Sequence, residues 1–107
     1  MPKFTQGDLV YVAHPYGGQH KNKKKAKKII QHLFEQYPGV TFVSPIHGIV
    51  APYHSVPYLE GMKLCTELLS RCDSLLLTGS WEKSRGCCIE KEFAAKHRIK
   101  TIVLGEI

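Results

Sequence analysis

Four short runs, Leu9-Val10-Tyr11-Val12-Ala13, Val40-Thr41-Phe42-Val43, Ser74-Leu75-Leu76-Leu77-Thr78 and Thr101-Ile102-Val103-Leu104, are apolar almost without interruption instead of alternating with polar residues. A strand with this pattern is buried on both faces, and such strands belong to parallel sheets, whose crossover helices cover both sides. The segments between the runs have helical spacing. From about Asn22 to Tyr37, Ala26, Ile29, Ile30, Leu33 and Phe34 form the expected inner face, with Asn22 as the expected cap. Further helices are expected from about Tyr58 to Ser70 and from about Arg85 to His97. The order β-α-β-α-β-α-β predicts a single α/β domain over residues 1–107. Its expected architecture is a three-layer α/β/α sandwich with a parallel sheet of about four strands, Rossmann-like or flavodoxin-like.

At 107 residues and 43% hydrophobic, the chain can build one core. It has no apolar run of about 18 residues, so no membrane span is expected. The start, Met1-Pro2-Lys3-Phe4-Thr5-Gln6-Gly7-Asp8, lacks an apolar signal core, and a cytoplasmic location is expected. The four cysteines, Cys65, Cys72, Cys87 and Cys88, show neither the density of a disulfide scaffold nor a Cys-x2-Cys zinc spacing. They read as reduced packing residues, and no metal or cofactor is called for. The formal charge of +6 is concentrated in His20-Lys21-Asn22-Lys23-Lys24-Lys25-Ala26-Lys27-Lys28, which holds six of the fifteen basic residues. Such a run can bind nucleic acid by releasing counterions. No aromatic residue interleaves with it in sequence, so the preferred reading is the solvated outer face of a helix.

In sheets of this kind, ligands bind outside the carboxyl ends of the strands. The segments leaving those ends are His14 to Gly18, Ser44 to His47 and Gly79 to Gly86, which hold most of the polar, aromatic and glycine residues. Gly17 and Gly18, just before a helix, either bring backbone N–H groups to an anion or simply make a tight turn. Ser84 before Arg85-Gly86 is either an N-cap, an anion ligand, or both. Glu90, one turn beyond Gly86, either pairs with Lys83 or Lys91 on the surface or faces the pocket. In the pocket, the helix dipole would keep it ionised and able to attack an anomeric carbon. Trp81 either stacks on a planar base or anchors the loop. His14 and His47 are candidate proton carriers or structural hydrogen-bonders.

Val10-Tyr11-Val12-Ala13-His14-Pro15-Tyr16-Gly17-Gly18, Asn22, Ser44-Pro45-Ile46-His47, Cys72-Asp73 and Trp81-Glu82-x-Ser84-x-Gly86-x-x-x-Glu90 follow one another in order. Together they resemble the DUF4406 type of small domain, which belongs with the nucleoside 2-deoxyribosyltransferase-like proteins. The resemblance runs from about residue 9 to 104. It implies cleavage of an N-glycosidic bond in a nucleoside or nucleoside 5'-monophosphate, by hydrolysis or deoxyribosyl transfer. It makes Glu90 the nucleophile and Tyr11 its support. A serine at position 84, where transferases of that superfamily carry an aspartate, leans toward a phosphorylated ligand. The resemblance also implies a neighbouring subunit that closes the pocket. A homodimer or higher homo-oligomer is therefore expected, with Tyr53, Tyr58 and the loop from Gly48 to Pro57 offering apolar area.

The chain departs from that pattern at Cys65, where the active enzymes carry an aspartate eight residues before the one matched by Asp73. A thiol is a poor substitute for an acid that protonates or positions a base. The expected catalytic residues are Glu90, Tyr11 and His47. The expected binding residues are His14, Tyr16, Gly17, Gly18, Ser44, Trp81, Ser84 and Gly86. The alternatives are a non-catalytic nucleotide-binding module and, resting only on the lysine run, a basic nucleic-acid-binding protein.

Overall fold

The computed structural model describes residues 4–16, 19–45 and 58–106. Gly17, Gly18, His47 and Tyr53 lie outside the described residues. Among the described residues, four strands carry the sheet: β1 Leu9–Ala13, β2 Thr41–Val43, β3 Ser74–Leu77 and β4 Lys100–Val103. Three long helices accompany them there: α1 His20–Gln36, α2 Tyr58–Leu69 and α3 Arg85–Lys96. Short 3-10 turns form at Trp81–Lys83 and Leu104–Glu106.

The strand order is β2-β1-β3-β4 and every pairing is parallel. Val10, Tyr11, Val12 and Ala13 lie opposite Ser74, Leu75, Leu76 and Leu77. This central pair contains the least exposed stretch of the sheet, because both neighbours and both helical layers cover it. It is also tied at both ends. At the start, the Leu9 N–H donates to Asp73 Oδ2 at 2.7 Å, and the Asp73 N–H donates to the Leu9 carbonyl at 2.8 Å. At the finish, the Thr78 N–H and hydroxyl both donate to the Ala13 carbonyl, at 2.9 and 2.8 Å.

Strand alternation sorts the core into two layers. Val10, Val12 and Leu76 face α1 through Leu33, Ile29 and Ile30. Tyr11, Ala13, Leu75 and Leu77 face α2 and α3 through Leu69, Cys65, Cys87, Ala94 and Phe93. The chain is therefore the three-layer parallel α/β sandwich expected from the apolar runs. Two local expectations differ. Phe34 is 69% exposed, because Ala26 and Leu33 define the buried arc of α1 and Phe34 falls on its flank. Asn22 lies inside α1 instead of capping it, and its Nδ2 donates to the Tyr16 carbonyl at 3.0 Å, tying the first turn to the loop after β1.

The N-cap position of α1 is Gln19, which has extended backbone and no side-chain capping bond; the first turn also lacks an acidic residue. Gln19→Asp should supply both a capping acceptor and a charge favoured by the helix dipole. We expect it to raise unfolding stability by about 1 kcal/mol, read from urea titration.

Candidate active site

The order β2-β1-β3-β4 reverses direction between β1 and β3, and the crevice outside the carboxyl ends of those two strands is where open α/β sheets take ligands. The chain leaves β1 through His14, Pro15 and Tyr16, and leaves β3 through Thr78, Gly79 and Ser80. These two exits touch. Gly79 has φ +62, and a Cβ built on it would lie 2.9 Å from His14 Nε2 and 3.4 Å from Pro15 Cδ. A side chain at Gly79 would both strain the backbone and push His14 aside. His14 Nδ1 is meanwhile 2.8 Å from the Pro15 carbonyl, so the ring is held from both sides.

Beneath this rim, α3 turns Glu90 inward. The Tyr11 hydroxyl of β1 donates a hydrogen bond to Glu90 Oε2. Glu90 is only 5% exposed, which excludes a surface pairing with Lys83 or Lys91. The expectation that the helix dipole keeps this carboxylate ionised is corrected by the same burial. Loss of water pushes its pKa up from the usual carboxylate range to about 7, and the Tyr11 hydrogen bond only partly offsets this. Glu90 is the sixth residue of α3, beyond the first turn within which a helix terminus acts strongly. Tyr11 is pushed far above the ordinary phenol value, first by burial and then by the Glu90 charge, so its hydroxyl is a fixed donor.

Cys65 of α2 completes the cluster. Its thiol lies beside the Tyr11 hydroxyl, and burial followed by the Glu90 charge raises its pKa to about 11. At neutral pH it is a protonated thiol, neither a nucleophile nor a usable acid. All four cysteines are free; Cys87 is buried as expected, whereas Cys88 is exposed, its sulfur 3.6 Å from the Glu82 carbonyl. Among the described residues, no group of three or more metal-ligating side chains comes together.

The start of α3 is built as an N-terminus. Ser84 has extended backbone and its Oγ accepts the Cys87 N–H at 3.3 Å, so the cap reading holds. Gly86 leaves space that Tyr58 of α2 occupies. A Cβ there would lie 3.2 Å from the Tyr58 hydroxyl and 3.6 Å from Met62 Sδ. The Arg85 guanidinium sits 4.9 Å from the centre of the Tyr58 ring. Trp81 is half-buried against the α2–α3 core layer, with Lys91 Nζ 5.6 Å from its ring centre, so it packs as an anchor. Ser44 lies elsewhere: it is buried at the end of β2 and lines a groove beside α1, on the opposite face from Glu90. The sequence-predicted residues are thus divided. Tyr11 and Glu90 are in contact, His14 and Tyr16 follow β1, and Ser84, Gly86 and Trp81 surround the start of α3. Gly79 and the position of Tyr58 against Gly86 were missed, because no local spacing links residues on different elements.

The family model called "Domain of unknown function (DUF4406)" matches residues 8–103. The chain belongs to this family. No curated protein matches it. Among solved structures, this DUF4406 chain is similar to a 2-deoxyribosyltransferase from Leishmania mexicana, with a TM-score of 0.65 and 16% identity. The match covers 90% of this chain and 63% of that one, so the DUF4406 chain spans less than two thirds of that protein's length. At that identity, the shared feature is the fold.

The buried carboxylate has a consequence for stability. Between about pH 4.5 and 7 the unfolded chain releases the Glu90 proton while the folded chain keeps it, so stability falls as pH rises through this window. Glu90→Gln removes that loss. It should be more stable than the parent at pH 8, by an amount on the order of 2–3 kcal/mol, with the gap closing toward pH 4, as measured by chemical unfolding.

Proposed function

We propose that the DUF4406 chain binds a nucleoside or nucleoside 5'-monophosphate outside the carboxyl ends of β1 and β3 and cleaves its N-glycosidic bond. The observation that carries this reading is the buried Glu90 carboxylate gripped at one oxygen by Tyr11. A carboxylate with no chemical task would be better left in water, since burial without an ionic partner is costly. In this reading the ionised Glu90 attacks C1' of the sugar with Oε1, the oxygen not engaged by Tyr11. The C1'–N bond breaks and its electron pair leaves with the base, which takes up a proton. Water then releases the sugar, or a second base accepts it. Ser84 and the N–H groups at the start of α3 would hold a 5'-phosphate or a sugar hydroxyl. His14, Tyr16 and Trp81 would bound the pocket. His47 would donate that proton, and Gly17 and Gly18 would bring backbone N–H groups to the phosphate.

Cys65 favours a second reading, a nucleotide-binding module without turnover. It stands where the wider superfamily has an acid, and its thiol is held protonated. The two readings separate in one assay: release of free base from a panel of deoxynucleosides and their 5'-monophosphates. The enzyme reading expects release by the parent and a loss of several orders of magnitude in Glu90→Gln, with ligand binding kept. It also sets a pH dependence. Because Glu90 must be ionised, kcat/KM should rise with pH and level off above about 7. Release that persists in Glu90→Gln removes the nucleophile, and binding without any release leaves the module.

A second copy of the chain is proposed to close this shallow site. α2 leaves Tyr58, Leu59 and Leu64 exposed near the start of α3, apolar area that a partner would cover. Light scattering at micromolar concentration should return a dimer or larger assembly, and Leu59→Asp should shift it toward monomer.

A further inference from the structure

The formal charge of the chain resides on one helix end. Lys and Arg number 15 and Asp and Glu 9, and the excess of six equals the six lysines between positions 21 and 28. The rest of the chain is balanced. These lysines occupy the first turns of α1, where the helix dipole is already positive, and no acidic residue sits in the first turn. The ion pairs of Lys63 with Glu60 and Arg71 with Glu67 both involve α2 and its end, and neither touches the α1 lysines. Lysines three and four apart on one helix also repel one another. An arrangement with this internal cost is relieved by an external anion.

The structure adds a shape that the sequence does not show. His20, Lys23, Lys24 and Lys27 form one wall of an open groove of about 470 Å³, Phe42 and Ser44 of the β2 side form the other, and Ile30 and Gln31 complete it. That volume lies within the usual range of small-ligand sites, about 300–1,000 Å³. Phe34 lies two turns beyond Lys27 on the same flank of α1, with its ring 69% exposed. The lysines are thus accompanied by one exposed ring, that of Phe34, and by the apolar wall of Phe42, whose ring is packed edge-on against Phe4, neither visible as interleaving in the sequence. Among the described residues β2 is an edge strand of the sheet, and the groove runs beside it.

We propose that this groove binds single-stranded nucleic acid, with the lysines along its phosphates and the exposed Phe34 ring against a base. Charge alone would suit any polyanion. Aromatic and apolar surface beside the lysines suits a strand whose bases are unstacked and free to lie on a ring. A duplex keeps its bases stacked inside and presents only phosphates to such a wall. The site lies on the face of the sheet opposite Glu90, and the proposal stands independently of the base-releasing reading.

The test is fluorescence anisotropy of labelled oligo(dT) and oligo(U), each of about 12 nucleotides, within the site sizes of single-strand grooves. A duplex of equal length and inorganic polyphosphate serve as competitors. Binding should tighten as salt falls. The double variant Lys23→Gln/Lys27→Gln should weaken binding more than tenfold and reduce the salt slope by about 1.4, about 0.7 per lost phosphate contact. Phe34→Ala should weaken it several-fold with the salt slope unchanged, and Phe34→Tyr should restore it. Lys63→Gln/Lys96→Gln, which removes two charges from α2 and α3, should leave affinity within about twofold, screening making distant charges weak contributors. These substitutions are at the surface, and circular dichroism of each variant confirms the fold. No binding at low salt, displacement by duplex or polyphosphate as readily as by the single strand, or full affinity in Phe34→Ala would each overturn the proposal.

Discussion

A single buried hydrogen bond, from the Tyr11 hydroxyl to the Glu90 carboxylate, decides how α3 meets the sheet. Glu90 brings a charge into a layer otherwise made of Leu69, Leu75, Leu77, Cys87 and Ala94. Such a group is tolerated only where a donor waits for it, and β1 supplies that donor at its middle residue. The rotation of α3 about its own axis is therefore not free. Turning Glu90 toward Tyr11 places Ala94, one turn later, against the sheet, and puts Gly86, one turn earlier, where Tyr58 of α2 can approach. One polar contact thereby sets the position of two helices.

The balance of forces at Glu90 shows which of two familiar effects prevails. A helix N-terminus lowers a carboxylate's pKa, and burial raises it. Within the first turn the dipole contributes about 0.3–1 kcal/mol and beyond it less, whereas desolvation of a nearly buried carboxylate is worth several times more. The Tyr11 donor recovers part of the difference. The outcome is a carboxyl poised near neutrality, able to exist in both protonation states in ordinary solution. Cys65, beside the same hydroxyl, is driven the other way from function: burial and the neighbouring charge both hold its proton in place.

Features that depend on one segment were readable from the sequence. The uninterrupted Leu75-Leu76-Leu77 run announces a central strand, and Ser84 before a helix announces its cap. Features that depend on two segments were not. Tyr11 and Glu90 are 79 residues apart, and only resemblance to a family suggested that they belong together. Phe34 has the apolar spacing of α1, but spacing does not say which flank the sheet covers. Asn22 has the chemistry of a cap, yet the Gln19 N–H bonds the Tyr16 carbonyl and the helix starts further back, at His20. Gly86 looked like room for a ligand and is also room for Tyr58, a side chain from another element. The ionisation of Glu90 was misjudged for the same reason, since its environment comes from β1 and α2 and not from its own helix.

The clamp between Leu9 and Asp73 spans 64 residues, and the tie between Thr78 and Ala13 spans 65. By contrast, β3, α3 and β4 are consecutive and can associate with short loops. Loop-closure entropy makes distant pairings slow to form relative to local ones. The C-terminal β-α-β unit is thus the natural early platform, and β1 joins it when the chain between them has been gathered in. Glu90 resides on the early unit and its hydroxyl partner on the late one. Until β1 docks, the carboxylate is solvated and ordinary, so the raised pKa at its position is acquired only when β1 joins β3, and it is kept as long as that buried central pair holds.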